Sequence, residues 1–249
     1  MLSKAKIRLI QSLQYKKIRK SHALFVVEGI KSISEFIDSG WEIDSFFLTE
    51  NAFAKMRNLP QKIKLSVVSE SEIKKISFLQ SPQGTVAVFK KHHEEETKSF
   101  AWNNEFVLAL DQIQDPGNLG TIIRTAEWFG IEHIFCSEDS VDAFNPKVVQ
   151  ASMGSLARVK VHYVDLKEFI DEQKIPVYGA LLDGTSIYET SFHQPGVILM
   201  GNEGSGIRDS LIERISHQVT IPNFGDAESL NVAIATTVFC SEIARRRSK

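Results

Sequence analysis

Short apolar runs rich in β-branched and aromatic residues alternate along the chain with stretches whose apolar positions recur every three or four residues. Residues 24–27, 45–48, 65–68 and 85–89 read as strands, and 30–39, 51–57 and 70–77 carry helical spacing. That alternation predicts a small α/β sandwich. Residues 90–98, KKHHEEETK, hold no apolar side chain and predict a linker or exposed turn. The pattern then resumes with more continuously apolar runs at 106–110, 133–136, 159–164, 177–182, 197–200 and 218–221. Such runs, separated by helices, predict a mostly parallel sheet covered on both faces. The last helix is predicted over about 229–246, with Leu230, Ala233, Ile234, Val238 and Ile243 near one face. The expected organisation is therefore two α/β domains, 1–97 and 98–249.

Composition removes several classes. Apolar residues make up 43% and charged residues 24% of 249 positions, which excludes wholesale disorder and fibrous repeats. No apolar run approaches the length that a bilayer requires. The start, MLSKAKIRLIQSLQ, is basic and amphipathic without the apolar block and cleavage site of an export signal. Cys136 and Cys240 supply neither a disulfide framework nor a metal cluster. A cytoplasmic protein that uses no metal is the expectation.

Charge adds an asymmetry hidden by the net of −2. Residues 1–97 carry 16 Lys and Arg against 11 Asp and Glu, and residues 98–249 carry 13 against 20. The first twenty residues hold seven basic side chains and no acid. Such a segment attracts a polyanion; a solvated helix face is the competing reading. The closing basic cluster, Arg245 to Arg247 with Lys249, suits the C-terminal end of a helix dipole.

Ligands of open α/β sheets bind beyond the carboxyl ends of the strands, so three loops there hold the candidate chemistry. The first runs DQIQDPGNLG and continues TIIRTAEWFG; Asn118 could cap the helix that follows, and Arg124 lies six residues on. Arg124 is either amphipathic patterning or an anion clamp. The second, GNEGSGI from Gly201, has three glycines in the order G-x-x-G-x-G, which is neither the dinucleotide fingerprint nor a Walker loop. Glu203 sits inside it and could be no more than a helix-start carboxylate. The third, PNFGDAESLNVA from Pro222, places Ser229 and Asn231 around Leu230, and helix capping accounts for one of them better than for both. The seven histidines show no metal-ligand or catalytic spacing.

In this order, DPGNLGTIIRTAEWFGI, VILMGNEGSGI and IPNFGDAESLNVAIATTVFCSEIARR resemble the three motifs of the SpoU-type (TrmH-type) RNA 2′-O-ribose methyltransferases of the SPOUT superfamily. The resemblance covers roughly 106–246, including VVQASMGSLARVKV from Val148. FVVEGIKSISEFIDSGW resembles the start of the ribosomal-protein-like substrate-binding domain that many members carry. It implies a C-terminal domain with a deep trefoil knot, an S-adenosylmethionine site made from the knotted loops, and a homodimer. Carried over by motif, Asn118, Arg124, Glu203, Ser229 and Asn231 form the catalytic and substrate-facing set. Leu199, Met200, Gly201, Ile221 and Leu230 line the cofactor.

The implied reaction needs no metal; it needs the ribose hydroxyl held in line with a methyl donor. The resemblance implies that Arg124 activates this hydroxyl; because a guanidinium is normally charged, gripping phosphate and stabilising developing alkoxide is the favoured expectation, with proton abstraction the alternative. Asn118 and Asn231 are expected to orient the hydroxyl, and Glu203 to hold Arg124 or neighbouring backbone. Ribosomal RNA is the expected substrate, on the resemblance of the first domain. Transfer RNA, or a non-catalytic RNA-binding or ribosome-assembly role on the same fold, are the alternatives.

Overall fold

The computed structural model describes residues 2–55, 65–91 and 105–247. They divide into two compact units, Met1–Glu95 with Asp142–Ala157, and Glu96–Val141 with Arg158–Lys249.

The first unit opens with two short helices, α1 (Lys4–Ser12) and α2 (Lys16–His22). Ser3 caps α1 by accepting from Lys6 N, and Ala23 ends α2 in the left-handed region at φ 50°. The chain continues through β1 (Leu24–Glu28), α3 (Ile30–Asp38), β2 (Ile43–Leu48), α4 (Glu50–Lys55), β3 (Leu65–Val67), α5 (Glu70–Ile76) and β4 (Thr85–Lys90). The strand order is β1-β4-β2-β3, with β3 parallel to β2 and the other pairs antiparallel. Ser69 and Glu72 form a reciprocal capping box at α5. Backbone N–H groups of Leu2 and Ser69 hold the pKa of the Glu72 carboxyl at about 2. Ile10, Leu13, Val26, Phe47, Ile73 and Val88 fill one side of this sheet. Of the linker expected at 90–98, Lys90 closes β4 and residues 92–98 lie outside the described residues, as do positions 56 and 57 of the helix expected at 51–57.

The second unit begins with β5 (Val107–Leu110), α6 (Pro116–Trp128) and β6 (His133–Ser137). Residues 142–157, containing α7 (Pro146–Ala151) and a 3-10 turn at Ser155–Ala157, then belong to the first unit. There the Phe144 ring lies 4.7 Å from Phe25, and Trp41 Nε1 donates to Ala157 O at 3.0 Å. Arg19, almost wholly buried, donates Nε and Nη2 to Asp142 Oδ2 at 2.8 and 2.5 Å and Nη1 to the carbonyls of Leu13 and Gln14.

The second unit resumes with β7 (Lys160–Val164), α8 (Leu166–Gln173), β8 (Val177–Ser186), β9 (Val197–Met200), α9 (Asp209–Ile212), β10 (His217–Thr220) and α10 (Val232–Arg247). Its six strands follow the order β10-β8-β9-β5-β6-β7, and every pair is parallel. The six apolar runs correspond to these six strands; the central β5, β6 and β9 are buried on both faces and carry no polar alternation, whereas β7, β10 and the end of β8 are partly exposed. Val107, Ala109, Phe135, Phe169, Val197 and Leu199 belong to the core. The last helix starts later than its pattern suggests: Asn231 Oδ1 accepts from the N–H groups of Ala233 and Ile234, so Ser229 and Leu230 precede it. At its far end Arg245 and Arg246 both pair with Glu242, whose pKa they hold at about 2.

Candidate active site

All three loops leave the same edge of the second unit's sheet, as parallel strands require. After β5, Asp115 caps α6 by accepting from Asn118 N at 2.8 Å, and Pro116 occupies the first helical position. The cap expected from Asn118 is therefore made by Asp115, three residues earlier, which leaves the Asn118 amide available for other partners.

The loop after β9 closes on itself. Asn202 and Gly206 exchange backbone hydrogen bonds at 2.9 and 3.0 Å, and Asn202 Oδ1 accepts from Gly204 N and Ser205 N. Gly206 adopts φ +70°, and a Cβ on Gly201 would lie 2.4 Å from the Gly206 carbonyl carbon, so the closure depends on both glycines. Two ties fix this loop to the first one. Asn202 Nδ2 donates to Gln112 O at 2.8 Å; buried Asp111 accepts from Arg208 N at 2.9 Å and meets Arg208 Nη2 at 2.5 Å. Asp111 in turn holds the pKa of the Arg208 guanidinium above its usual range.

These ties bring together three of the five expected residues. Asn118 Nδ2 donates to Glu203 Oε1, and Asn231 Nδ2 donates to Asn118 Oδ1 at 2.9 Å. Asn231 thus serves both as the cap of α10 and as a donor to α6. The two helices start side by side and run parallel, with Thr125 and Thr237 hydroxyls 3.1 Å apart two turns further along. Glu203 does not hold Arg124; its partner is Asn118. Arg124 is exposed between buried Ile123 and Thr125, and it makes no ion pair with the described residues. The α6 face that carries it also carries exposed Thr121 and Trp128. Ser229 is exposed, and its side chain makes no hydrogen bond with the described residues.

The expected cofactor residues lie at the carboxyl ends of β9 and β10 and in the loops that follow them. β8 pairs with β9 as far as Gly179 and is next registered against β10 at Thr185. Residues 180–184 form a register shift against β10, where Leu182 O accepts from Thr220 Oγ1 at 2.8 Å. Leu199 and Met200 are buried at the end of β9 and Gly201 follows them; Ile221, half-buried, directly follows β10. Leu230 is 50% exposed in a loop that contributes apolar side chains and backbone amides.

Asp111, Asn202 and Arg208 were not singled out by the sequence, although they fix the positions of residues that were. Their signal is faint, an acid directly after a buried strand and an Asx residue in a glycine loop. Both cysteines are buried and free, and burial pushes the pKa of the Cys240 thiol up to about 12. Among the described residues, no cluster of three His, Cys, Asp or Glu side chains could hold a metal, and no helix is long and apolar enough to cross a membrane.

Comparison with known proteins identifies the family. Residues 105–241 match the SpoU rRNA Methylase family, and residues 4–87 match the MRM3-like substrate binding domain. The chain belongs to the SpoU methylase family. It is 31% identical to the 23S rRNA (guanosine(2553)-2′-O)-methyltransferase RlmP of Bacillus subtilis, over 94% of this chain and 93% of that one. Among solved structures, a putative RNA methyltransferase of the TrmH family from Porphyromonas gingivalis superposes with a TM-score of 0.86 at 40% identity, covering 99% of each chain. The AdoMet-bound rRNA methyltransferase of Sinorhizobium meliloti superposes at 0.87 with 30% identity, covering 99% of this chain and 96% of that one.

Proposed function

We propose that this protein is an S-adenosylmethionine-dependent methyltransferase acting on a ribose 2′-hydroxyl of ribosomal RNA. The observation that carries the reading is the Asn231–Asn118–Glu203 chain of hydrogen bonds, which draws one residue from each motif to a single point. Family membership and the rRNA activity named for the Bacillus relative support it.

Bound S-adenosylmethionine supplies an electrophilic methyl group on a sulfonium sulfur. The ribose hydroxyl would receive that methyl group and give up its proton to solvent. Leu199, Met200, Gly201, Ile221 and Leu230 would hold the cofactor at the carboxyl ends of β9 and β10. Asn118, oriented from both sides, would fix the ribose. Arg124, projecting from the exposed face of α6, would grip the adjoining phosphate and stabilise the alkoxide. Ser229 completes the substrate-facing set.

The first unit, with its basic start, takes the role of RNA grip, and the enzyme works in the cytoplasm. A trefoil knot belongs to the same reading; support comes from the glycine loop tied against the β5–α6 connection. A homodimer belongs to it as well. Trp128 is 83% exposed and Phe224 95%, with Ile234 also outward on α10, more bare apolar surface than a working monomer needs.

The test is incubation with methyl-labelled S-adenosylmethionine and ribosomal or transfer RNA, followed by alkaline hydrolysis and nucleoside mapping. Label in an alkali-resistant dinucleotide from the large ribosomal RNA is the expected result. Label confined to transfer RNA would overturn the substrate, and no label with the cofactor bound would favour the non-catalytic reading.

A further inference from the structure

We propose that Tyr15, at the corner between α1 and α2, is a stacking platform for an unpaired base of the RNA substrate. The proposal rests on the function argued above and adds how the first unit recognises that RNA.

The first acidic residue of the chain is Glu28, so both N-terminal helices are built without a negative charge. Two of their seven basic side chains pair with acids among the described residues. Lys6 pairs with Asp44 at 2.7 Å, and Arg19 is buried against Asp142. Lys4, Arg8, Lys17 and Lys20 are exposed and make no ion pair with the described residues; Lys16 is exposed beside them. Concentrating like charges on one small surface costs stability unless an anion meets it.

Tyr15 stands among these cations, 61% exposed. Its backbone is nonetheless fixed. Tyr15 N donates to Ser12 O at 3.0 Å, and its carbonyl accepts from Ile18 N and Arg19 N at 3.0 and 3.1 Å. Arg19 reinforces the corner through its bonds to the Leu13 and Gln14 carbonyls. A ring on a rigid corner, without a stacking partner among the described residues and flanked by lysines, loses little freedom on binding. Single-stranded nucleic acid is bound by this combination, aromatic faces for bases and cations for the backbone. Unpaired nucleotides are also where proteins read RNA, because its paired grooves conceal the bases.

The experiment uses the full chain and fluorescence anisotropy with two fluorescein-labelled RNAs, a stem carrying an unpaired loop and the same stem as a blunt duplex. The intact protein is expected to prefer the looped RNA. Tyr15→Ala should weaken looped-RNA binding roughly fivefold to a hundredfold and leave duplex binding unchanged. Tyr15→Phe should retain the preference. Lys17→Gln with Lys20→Gln should weaken both RNAs alike and flatten the salt dependence, the slope falling by about 0.7 to 0.9 for each phosphate no longer neutralised. Circular dichroism checks that the variants fold. Equal loss on both RNAs, or none, from Tyr15→Ala overturns the platform alone. Displacement by polyglutamate as readily as by polyuridylate would assign the patch to an acidic protein instead. Failure of the intact protein to bind either RNA would overturn the functional reading beneath it.

Discussion

The Asn118 amide can face only one way. Asn231 spends its oxygen on the first N–H groups of α10, so its nitrogen points at Asn118 and requires an oxygen there. That leaves the Asn118 nitrogen for the Glu203 carboxylate, an acceptor without a donor of its own when ionised. Three side chains far apart in sequence thereby determine one another's orientation.

Asn118→Asp puts a second carboxylate against Glu203 while keeping size and shape. Turnover should fall on the order of a hundredfold or more, with cofactor affinity little changed. Adding Glu203→Gln should recover part of the loss, because neutralising the second carboxylate removes the repulsion. Single-turnover methylation beside calorimetric titration with S-adenosylmethionine makes the comparison, and strict additivity of the two changes would sink the coupling.

Arg124→Ala should abolish turnover with nearly normal cofactor affinity, since no described residue depends on its guanidinium. Arg124→Lys should restore little, because a compact ammonium cannot reproduce a planar, forked contact with phosphate. Strong loss of cofactor binding in either variant would count against the clamp.

Asn231 and Ser229 separate stability from chemistry. Asn231→Ala removes a helix cap and should cost about 1 kcal/mol, a drop in Tm of roughly 2–4 °C. Ser229→Ala should stay within about 0.5 kcal/mol of wild type, being an exposed substitution. Thermal melts of the two variants give the answer.

The Asp111–Arg208 pair should respond asymmetrically. Arg208→Ala leaves a wholly buried carboxylate with one backbone N–H and should cost about 3–5 kcal/mol. Asp111→Ala leaves a guanidinium already 42% exposed, which water can solvate, and should cost less, about 1–3 kcal/mol. Urea denaturation ranks them, and the reverse order would refute the burial argument.

His162 supplies a pH signature. Burial, then His133 and Lys160, depress its pKa from 6.5 to about 4. His133, which shares a hydrogen bond with it at 3.0 Å, is also lowered, by burial and Lys160 against the opposing pull of Glu132 and Glu105. Between pH 4 and 6.5 the unfolded chain binds protons that the folded one refuses, so stability rises with pH across that window and is lost on acidification. His162→Phe should flatten this part of a Tm-against-pH curve. The Glu242 contribution has the opposite kind of origin, a depressed carboxylate, and its loss falls below about pH 4.5.

The strands were legible because burial on both faces leaves an uninterrupted apolar run, as at Val197–Met200. Helix starts were less so. Asp115 and Asn118 are both good caps by type, and only the backbone decides between them. Ser229 and Asn231 offered two plausible caps for α10. The meeting of Asn118 with Glu203 and Asn231 could be inferred from family resemblance, but its wiring could not, since contacts spanning 85 and 113 positions leave no local pattern. Nor does any periodicity announce that residues 142–157 pack with the first unit; Asp142 and Phe144 read as ordinary loop residues until Arg19 and Phe25 are seen against them.

That excursion also bears on how such a gene can be recombined. The first unit is not a cassette with one junction. A graft of residues 1–97 from a relative would arrive without its own Phe144 and Asp142, and would receive those of the host instead. An interchangeable module here consists of two separated stretches, and the side chains at their seam must be inherited together.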